Sequence, residues 1–177
     1  MITAAPLPHP PRTHWRSMRP DDLPAVLDIA ARVHPAYPEG PAVFTERLAL
    51  CPAGCLVLDP GTGPEGYVLS HPWRAAAPPA LDRALGALPA RPDCWYLHDI
   101  ALLPHVRGRG AAADALTILA GRATQSGLPN LALIATGSAA AYWLRAGFTP
   151  IDQPDAAAIL ASYDPKALLM TRAVQPG

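Results

Sequence analysis

Residues 94–112 read CWYLHDIALLPHVRGRGAA. Cys94 to Leu103 is dense in large apolar and aromatic residues, broken only by His98 and Asp99. That is the pattern of a buried strand. Pro104 has no N–H to give to a ladder and ends it. Arg107-Gly108-Arg109-Gly110-Ala111-Ala112 follows, and then an alanine-rich run of helical spacing. Small residues let a ligand come close to the backbone, and the first turn of a helix has free N–H groups for an anion. The stretch therefore predicts a strand, a tight loop and a helix whose N-terminus holds a pyrophosphate.

Working outward, the helix extends from about Gly108 to Ser126, with Ala112, Leu116, Leu119, Ala120 and Ala123 on one face, Gly127 as C-cap and Pro129 as stop. Leu131 to Ile134 is a short buried strand, Ala139 to Ala146 a helix ending at Gly147, Asp155 to Ser162 a further short helix, and Ala167 to Thr171 a last strand. On the other side, Trp15 to Arg19 is extended and Pro20 ends it. Leu23, Val26, Leu27, Ala30 and Val33 then share one helical face. His34 to Pro41 holds three prolines and a glycine after the histidine and must be a loop, with a second helix over Ala42 to Leu50. Cys55–Leu58 and Gly66–Ser70 are strands joined by the turn Asp59–Pro64. Residues 75–92 form a proline-flanked insert, with Pro79 to Leu88 expected as a short helix, covering either an acceptor pocket or the sheet edge.

Arg107-x-x-Gly110-x-Ala112 resembles the pyrophosphate loop of the GNAT superfamily, the acetyl-CoA-dependent N-acetyltransferases. Ala139-Ala-Ala-Tyr142-Trp143-Leu-Arg-Ala-Gly147-Phe148 resembles the second signature of that family, A-x-x-F-Y-x-x-x-G-F. Together these motifs cover residues 94–148. The resemblance implies an α/β (α+β) GNAT fold: a central mixed, mostly antiparallel sheet flanked by helices and splayed between the fourth and fifth strands. It also implies acetyl-CoA as cosubstrate, held by Ala101, Leu102 and Leu103 on the strand, by Arg107, Gly108, Arg109, Gly110, Ala111 and Ala112 in the loop, and by Thr136 and Trp143 downstream. The chain departs from the family at two positions. Thr136 stands where many members have Asn, and Trp143 stands at the usual general-acid tyrosine; an indole N–H donates but cannot shuttle a proton. Tyr142, about 100° round the helix, is the fallback acid.

The reaction implied is attack of a primary amine on the acetyl-CoA thioester. An ammonium has no lone pair, so a base or water relay is needed. His98 is the first choice, because an imidazole with its ordinary pKa of about 6.5 works at neutral pH. Leu97-His98-Asp99-Ile-Ala-Leu is also similar to the strand of the arylalkylamine (serotonin) N-acetyltransferases. Asp99 is the alternative base, and period-two alternation puts the two residues on opposite faces. The acceptor is expected to be a small-molecule amine, hydrophobic or aromatic, contacted by His34, Tyr37 and Glu39 in the first loop and by His71 and Trp73 after the third strand. Two other activities fit the same motifs: acetylation of protein or peptide N-termini, and a catalytically idle acyl-CoA-binding module.

The 177 residues suit one domain over 15–177 behind a proline-rich lead-in over 1–14. Formal charge is zero, which gives no basic face for nucleic acid, and no apolar run of about 18 residues offers a membrane span. Cys51, Cys55 and Cys94 are an odd count without zinc-site spacing, so free thiols in a reducing, cytoplasmic setting and no metal are expected. A monomer or homodimer is expected from the resemblance. Alanine and proline abundance carries no functional reading.

Overall fold

The apolar run around His98 forms the middle of a mixed sheet. The computed structural model describes residues 14–174, and most of the expected lead-in, residues 1–13, lies outside them. In chain order the elements are β1 (His14–Ser17), α1 (Leu23–Val33), α2 (Pro41–Leu50), β2 (Leu56–Asp59), β3 (Gly66–Trp73), β4 (Cys94–Leu102), α3 (Ala111–Gln125), β5 (Asn130–Ala135), α4 (Ala140–Arg145), β6 (Thr149–Pro150), α5 (Ala157–Tyr163) and β7 (Leu168–Ala173). The seven strands of the described residues pair in the order β1-β2-β3-β4-β5-β7-β6. The β4–β5 pair is parallel and every other pair antiparallel. A parallel pair needs a crossover, and α3 supplies it. This is the mixed α/β, GNAT-type fold expected from the motifs.

Each sheet face has its own core. Leu56, Val68, Trp95, Leu97, Leu131 and Leu133 pack against Leu116 and Leu119 of α3 and Trp143 of α4. Val57, Tyr67, Leu69 and Ala101 pack against Val26 and Ile29 of α1 and Val43, Phe44 and Leu48 of α2. The alternation 67/69 against 68 along β3 is the two-sided pattern of a strand buried on both faces. No helix of the described residues is long and apolar enough to cross a membrane.

Two local expectations are corrected. Pro79–Leu88 is not helical. Its backbone groups are taken by other elements: Glu46 accepts from the N–H of Leu85 and Gly86, Glu39 from that of Asp82, and Arg47 donates to the Arg83 carbonyl. Groups already satisfied in this way have no need of a helical ladder. The third strand also runs past Ser70, through Pro72 to Trp73. The β2 pairing stops at Val68, so Pro72 sits where one edge of β3 has no neighbour, the position a strand proline tolerates.

Arg16 ties the sheet edge to the first helix. Its guanidinium donates to Asp22, just before α1, at 2.7 and 2.8 Å, and to Asp59 at the end of β2 at 2.7 and 2.9 Å. The Arg16 hydrogen bonds hold the Asp22 carboxyl below the usual carboxylate range. Burial pushes Asp59 up, but Arg16 and the N–H groups of Gly61 and Gly63 outweigh it, and its pKa too is lowered. Depressed carboxylates add stability above their unfolded pKa of about 3.9, and that stability is lost as pH falls through the lower folded values. Arg16→Met should therefore cost about 1–3 kcal/mol at pH 7, less than a fully buried pair would because the cluster is partly exposed. Urea denaturation at pH 7 and pH 3 checks this; the gap from wild type should shrink at pH 3.

Candidate active site

The site is built on an irregularity in β4. Leu69 of β3 pairs with Asp99 and its neighbour Ser70 with Leu97, so β4 uses two residues where β3 uses one, and His98 is the extra one. Such a bulge breaks the alternation of side chains. The expectation that His98 and Asp99 face opposite ways is thereby overturned. Asp99 accepts a hydrogen bond from Tyr67 of the α1/α2 face. His98 lies on the same side, its ring centroid 6.2 Å from His71 and 6.4 Å from Tyr96. Both line one cavity.

That cavity opens where two strands part. Pairing between β4 and β5 is confined to Trp95–Leu131 and Tyr96–Ala132. Leu103 donates its N–H to Glu65 beside β3, at 2.9 Å. Backbone groups alternate in direction along an antiparallel strand, so Ile100 and Leu102 aim at the parted edge and Ala101 and Leu103 away from it. The carbonyls of Ile100 and Leu102 accept from His34 Nε2 at 3.1 Å and Arg107 Nε at 2.8 Å.

Two acid–histidine pairs wall the cavity, whose volume is about 80 Å³. His98 Nε2 is 2.9 Å from Glu39 Oε2, with side chains 2% and 6% exposed. His34 Nε2 is 3.2 Å from Asp99 Oδ1. Burial works against the charged form of His34, but the Asp99 carboxylate outweighs it and raises the pKa. Burial pushes Asp99 up, while His34 and Tyr67 pull it further down, to a net value below the usual carboxylate range. An ionised Asp99 beside a protonatable His34 is the ground state at neutral pH.

The first loop is strapped across the opening. Asp164, just after α5, accepts from Tyr37 Oη at 2.8 Å and from the Gly137 N–H at 2.7 Å, so one carboxylate joins the α1–α2 loop to the end of β5. Tyr163 lines the cavity and donates to the Pro79 carbonyl at 2.9 Å. Leu81 of the 75–92 insert and Ile134 and Thr136 complete the lining. The insert therefore covers the pocket side and not merely a sheet edge. A second, larger cavity of about 270 Å³ shares His34, Tyr37, Glu39 and Asp99 with the first and runs under α1 against Leu27, Ala30 and Phe44.

Several expected site residues are not brought to this place. Tyr142 is 38% exposed and lines an outer groove with Leu116, Thr117 and Arg172. Trp143 is a core residue, its ring edge-on to Phe148. Trp73 donates to the Ala77 carbonyl and faces the insert. His71 is wholly buried beneath His98 and lines neither cavity. Conversely, Leu81, Phe44, Tyr163 and Asp164 carry no motif, and only tertiary proximity singles them out.

The glycine loop has the form its sequence implies. Gly108 and Gly110 have φ of 72° and 85°, and a Cβ at either would meet nothing within 4 Å. Gly110 is the N-cap of α3 and makes no side-chain cap, so the N–H groups of Ala111 and Ala112 are left to a ligand. The loop thus fits a pyrophosphate at a 15-residue helix.

Known proteins share the motifs and the fold. A family model described as "Acetyltransferase (GNAT) family" matches residues 23–148. No curated protein is a significant match to the sequence. Among solved structures, a GphF GNAT-like decarboxylase in complex with isobutyryl-CoA superposes with TM-score 0.73 at 18% identity, over 92% of this chain and 100% of that one. The loading GNATL domain of CurA from Lyngbya majuscula gives 0.73 at 11%, over 93% and 98%. The ribosomal-protein-S18-alanine N-acetyltransferase from Escherichia coli gives 0.64 at 19%, over 93% and 95%. At these identities the structures attest the fold. With the family model spanning strand, glycine loop and second motif, the chain belongs to the GNAT family of acetyltransferases.

Proposed function

We propose that this protein transfers the acetyl group of acetyl-CoA to a small primary amine with an apolar body. The observation that carries this reading is the cavity at the β4–β5 parting, walled by Glu39–His98 and Asp99–His34. Two carboxylates attract an ammonium, and the adjoining chamber under α1 offers Leu27, Ala30 and Phe44 to an apolar tail.

In this reading the ammonium gives one proton to the Glu39–His98 pair. The freed amine attacks the thioester carbon, a C–N bond forms, the C–S bond breaks, and the products are the acetamide and CoA. Backbone N–H groups of Ile100 and Leu102, on the free edge of β4, meet the developing oxyanion. A thiolate with the ordinary thiol pKa of about 8.5 leaves without a dedicated acid and takes, through water, the second proton that the acylated nitrogen sheds, consistent with tryptophan at position 143. Arg107 to Ala112 hold the pyrophosphate.

The volume of about 80 Å³ and the Tyr37–Asp164–Gly137 strap favour a small acceptor over a peptide N-terminus, which needs an open groove. The test is CoA-thiol release with phenethylamine, straight-chain alkylamines and a short peptide. Turnover on the first two and none on the peptide is the expected result. Peptide turnover alone would replace this reading with N-terminal acetylation, and tight CoA binding without any turnover would replace it with an idle module.

Removing the strap should loosen that selection. Asp164→Ala is expected to raise KM for phenethylamine about three- to tenfold, equal to the loss of about one charge-assisted hydrogen bond, with kcat nearly unchanged. Steady-state kinetics check it.

A further inference from the structure

Among the described residues, Asp82 of the insert is the one non-glycine residue with positive φ, at 55°. Glycine adopts that conformation freely and other residues only against strain, so an aspartate there calls for a reason. The side chain supplies one. Asp82 Oδ1 accepts from the Gly40 N–H at 2.7 Å, while the Asp82 N–H donates to Glu39 Oε1 at 3.0 Å. These two bonds close a reciprocal ring between Asp82 and the pair Glu39–Gly40. The chain on both sides of Asp82 is anchored as well. Tyr163 of α5 donates to the Pro79 carbonyl, Arg47 of α2 donates to the Arg83 carbonyl, and Glu46 of α2 accepts from the N–H groups of Leu85 and Gly86. Such surrounding ties are what keep a strained residue in place.

We propose that Asp82 is a positioning residue for the reaction, clamping the Glu39 carboxylate in the orientation that meets His98. Glu39 Oε2 is 2.9 Å from His98 Nε2, and Oε1 accepts from Asp82, so the two oxygens have partners on different elements, β4 and the insert. The last torsion of a glutamate side chain is broad, and one partner alone leaves it so. A partner on each oxygen sets the plane of the carboxylate. An ionised carboxylate has about four lone-pair sites, so sites remain for an ammonium in the cavities, both of which Glu39 lines. The acceptor's proton thus meets the Glu39–His98 pair at Glu39, from the cavity side. The bond to Gly40 serves the same end. Gly40 is the N-cap of α2 and follows Glu39 directly, so Asp82 holds both the carboxylate and the backbone that carries it. Through this clamp the insert reaches the chemistry, although Leu81 is the insert residue that lines the cavity.

The role in turnover rests on the proposed function; the clamp itself does not. The experiment has two parts: amide hydrogen exchange at Asp82 in wild type and Glu39→Ala, and steady-state kinetics with phenethylamine and straight-chain alkylamines for wild type, Asp82→Ala and Asp82→Asn. The Asp82 amide should exchange at least about tenfold more slowly in wild type than in an unstructured peptide, and Glu39→Ala should remove that protection. Asp82→Ala is expected to lower kcat about three- to tenfold with acceptor KM within about twofold, because the charge of Glu39 stays and only its orientation is lost. Asp82→Asn keeps an acceptor oxygen and tolerates the left-handed backbone, and should return kcat to within about twofold of wild type. An unprotected Asp82 amide in wild type overturns the clamp even if a variant fails to fold. An unchanged kcat in Asp82→Ala, a change in KM alone, or a loss as large in Asp82→Asn overturns the role in turnover. Wild type that turns over none of these amines overturns the proposed function and the role in turnover with it, and the amide exchange then decides the clamp by itself.

Discussion

Replacing His98 by alanine is expected to slow amine-dependent CoA release by roughly 10²–10⁴-fold, the range that a positioned base supplies. The size of the effect follows from burial. His98 and Glu39 are 2% and 6% exposed at the side chain, so bulk water is poorly placed to substitute for either. The loss should fall on kcat more than on acceptor KM, because Glu39 and Asp99 still present negative charge to an ammonium. Single-turnover release of CoA thiol separates the two. A decrease of less than about threefold would move the base to Asp99, whose carboxylate is held ionised by His34 and Tyr67. His98→Gln sharpens the comparison: it keeps a donor to Glu39 but cannot take a proton, and should be as slow as alanine.

Gly110→Val should weaken acetyl-CoA binding about ten- to hundredfold. The cause is conformational. Gly110 sits at φ 85° with open space where a Cβ would go, so the substitution is opposed first by backbone strain. A β-branched residue there costs about 1–3 kcal/mol, or forces the loop out of the left-handed turn that aims the first N–H groups of α3. Calorimetric titration with CoA measures the loss, and a thermal melt separates it from unfolding. The melting temperature should fall by only a few degrees, because the loop is exposed and α3 is anchored by Leu116 and Leu119 in the core.

The strand–loop–helix unit and the order of elements around it were legible from residues alone. Their signals are local: apolar density over Cys94–Leu103, a proline stop, glycines at two left-handed positions, and helical spacing after them. The form of the loop is equally local, since a helix N-terminus with small residues presents the same donors in any setting. Pro79–Leu88 was misread as helix because apolar spacing is only half the matter. Its backbone groups bond to Glu39, Glu46 and Arg47, residues at least 36 positions away in the chain.

What the tertiary structure alone decided is which side chains meet. A period-two reading separates His98 from Asp99, and one unpaired residue between β3 and β4 reunites them. That extra residue is a property of register between two strands, and no window on one strand contains it. Likewise Tyr37 and Asp164 are 127 residues apart yet close the same opening. Trp73 looked like an acceptor contact and faces the insert instead, while His71 is buried beneath His98 and lines neither cavity. Residue type and local periodicity thus determined the strand, the glycine loop and the helix start that follows it. Cross-strand register and the packing of distant loops determined which groups share a cavity and how large an acceptor fits, because those depend on contacts whose partners are far apart in the chain.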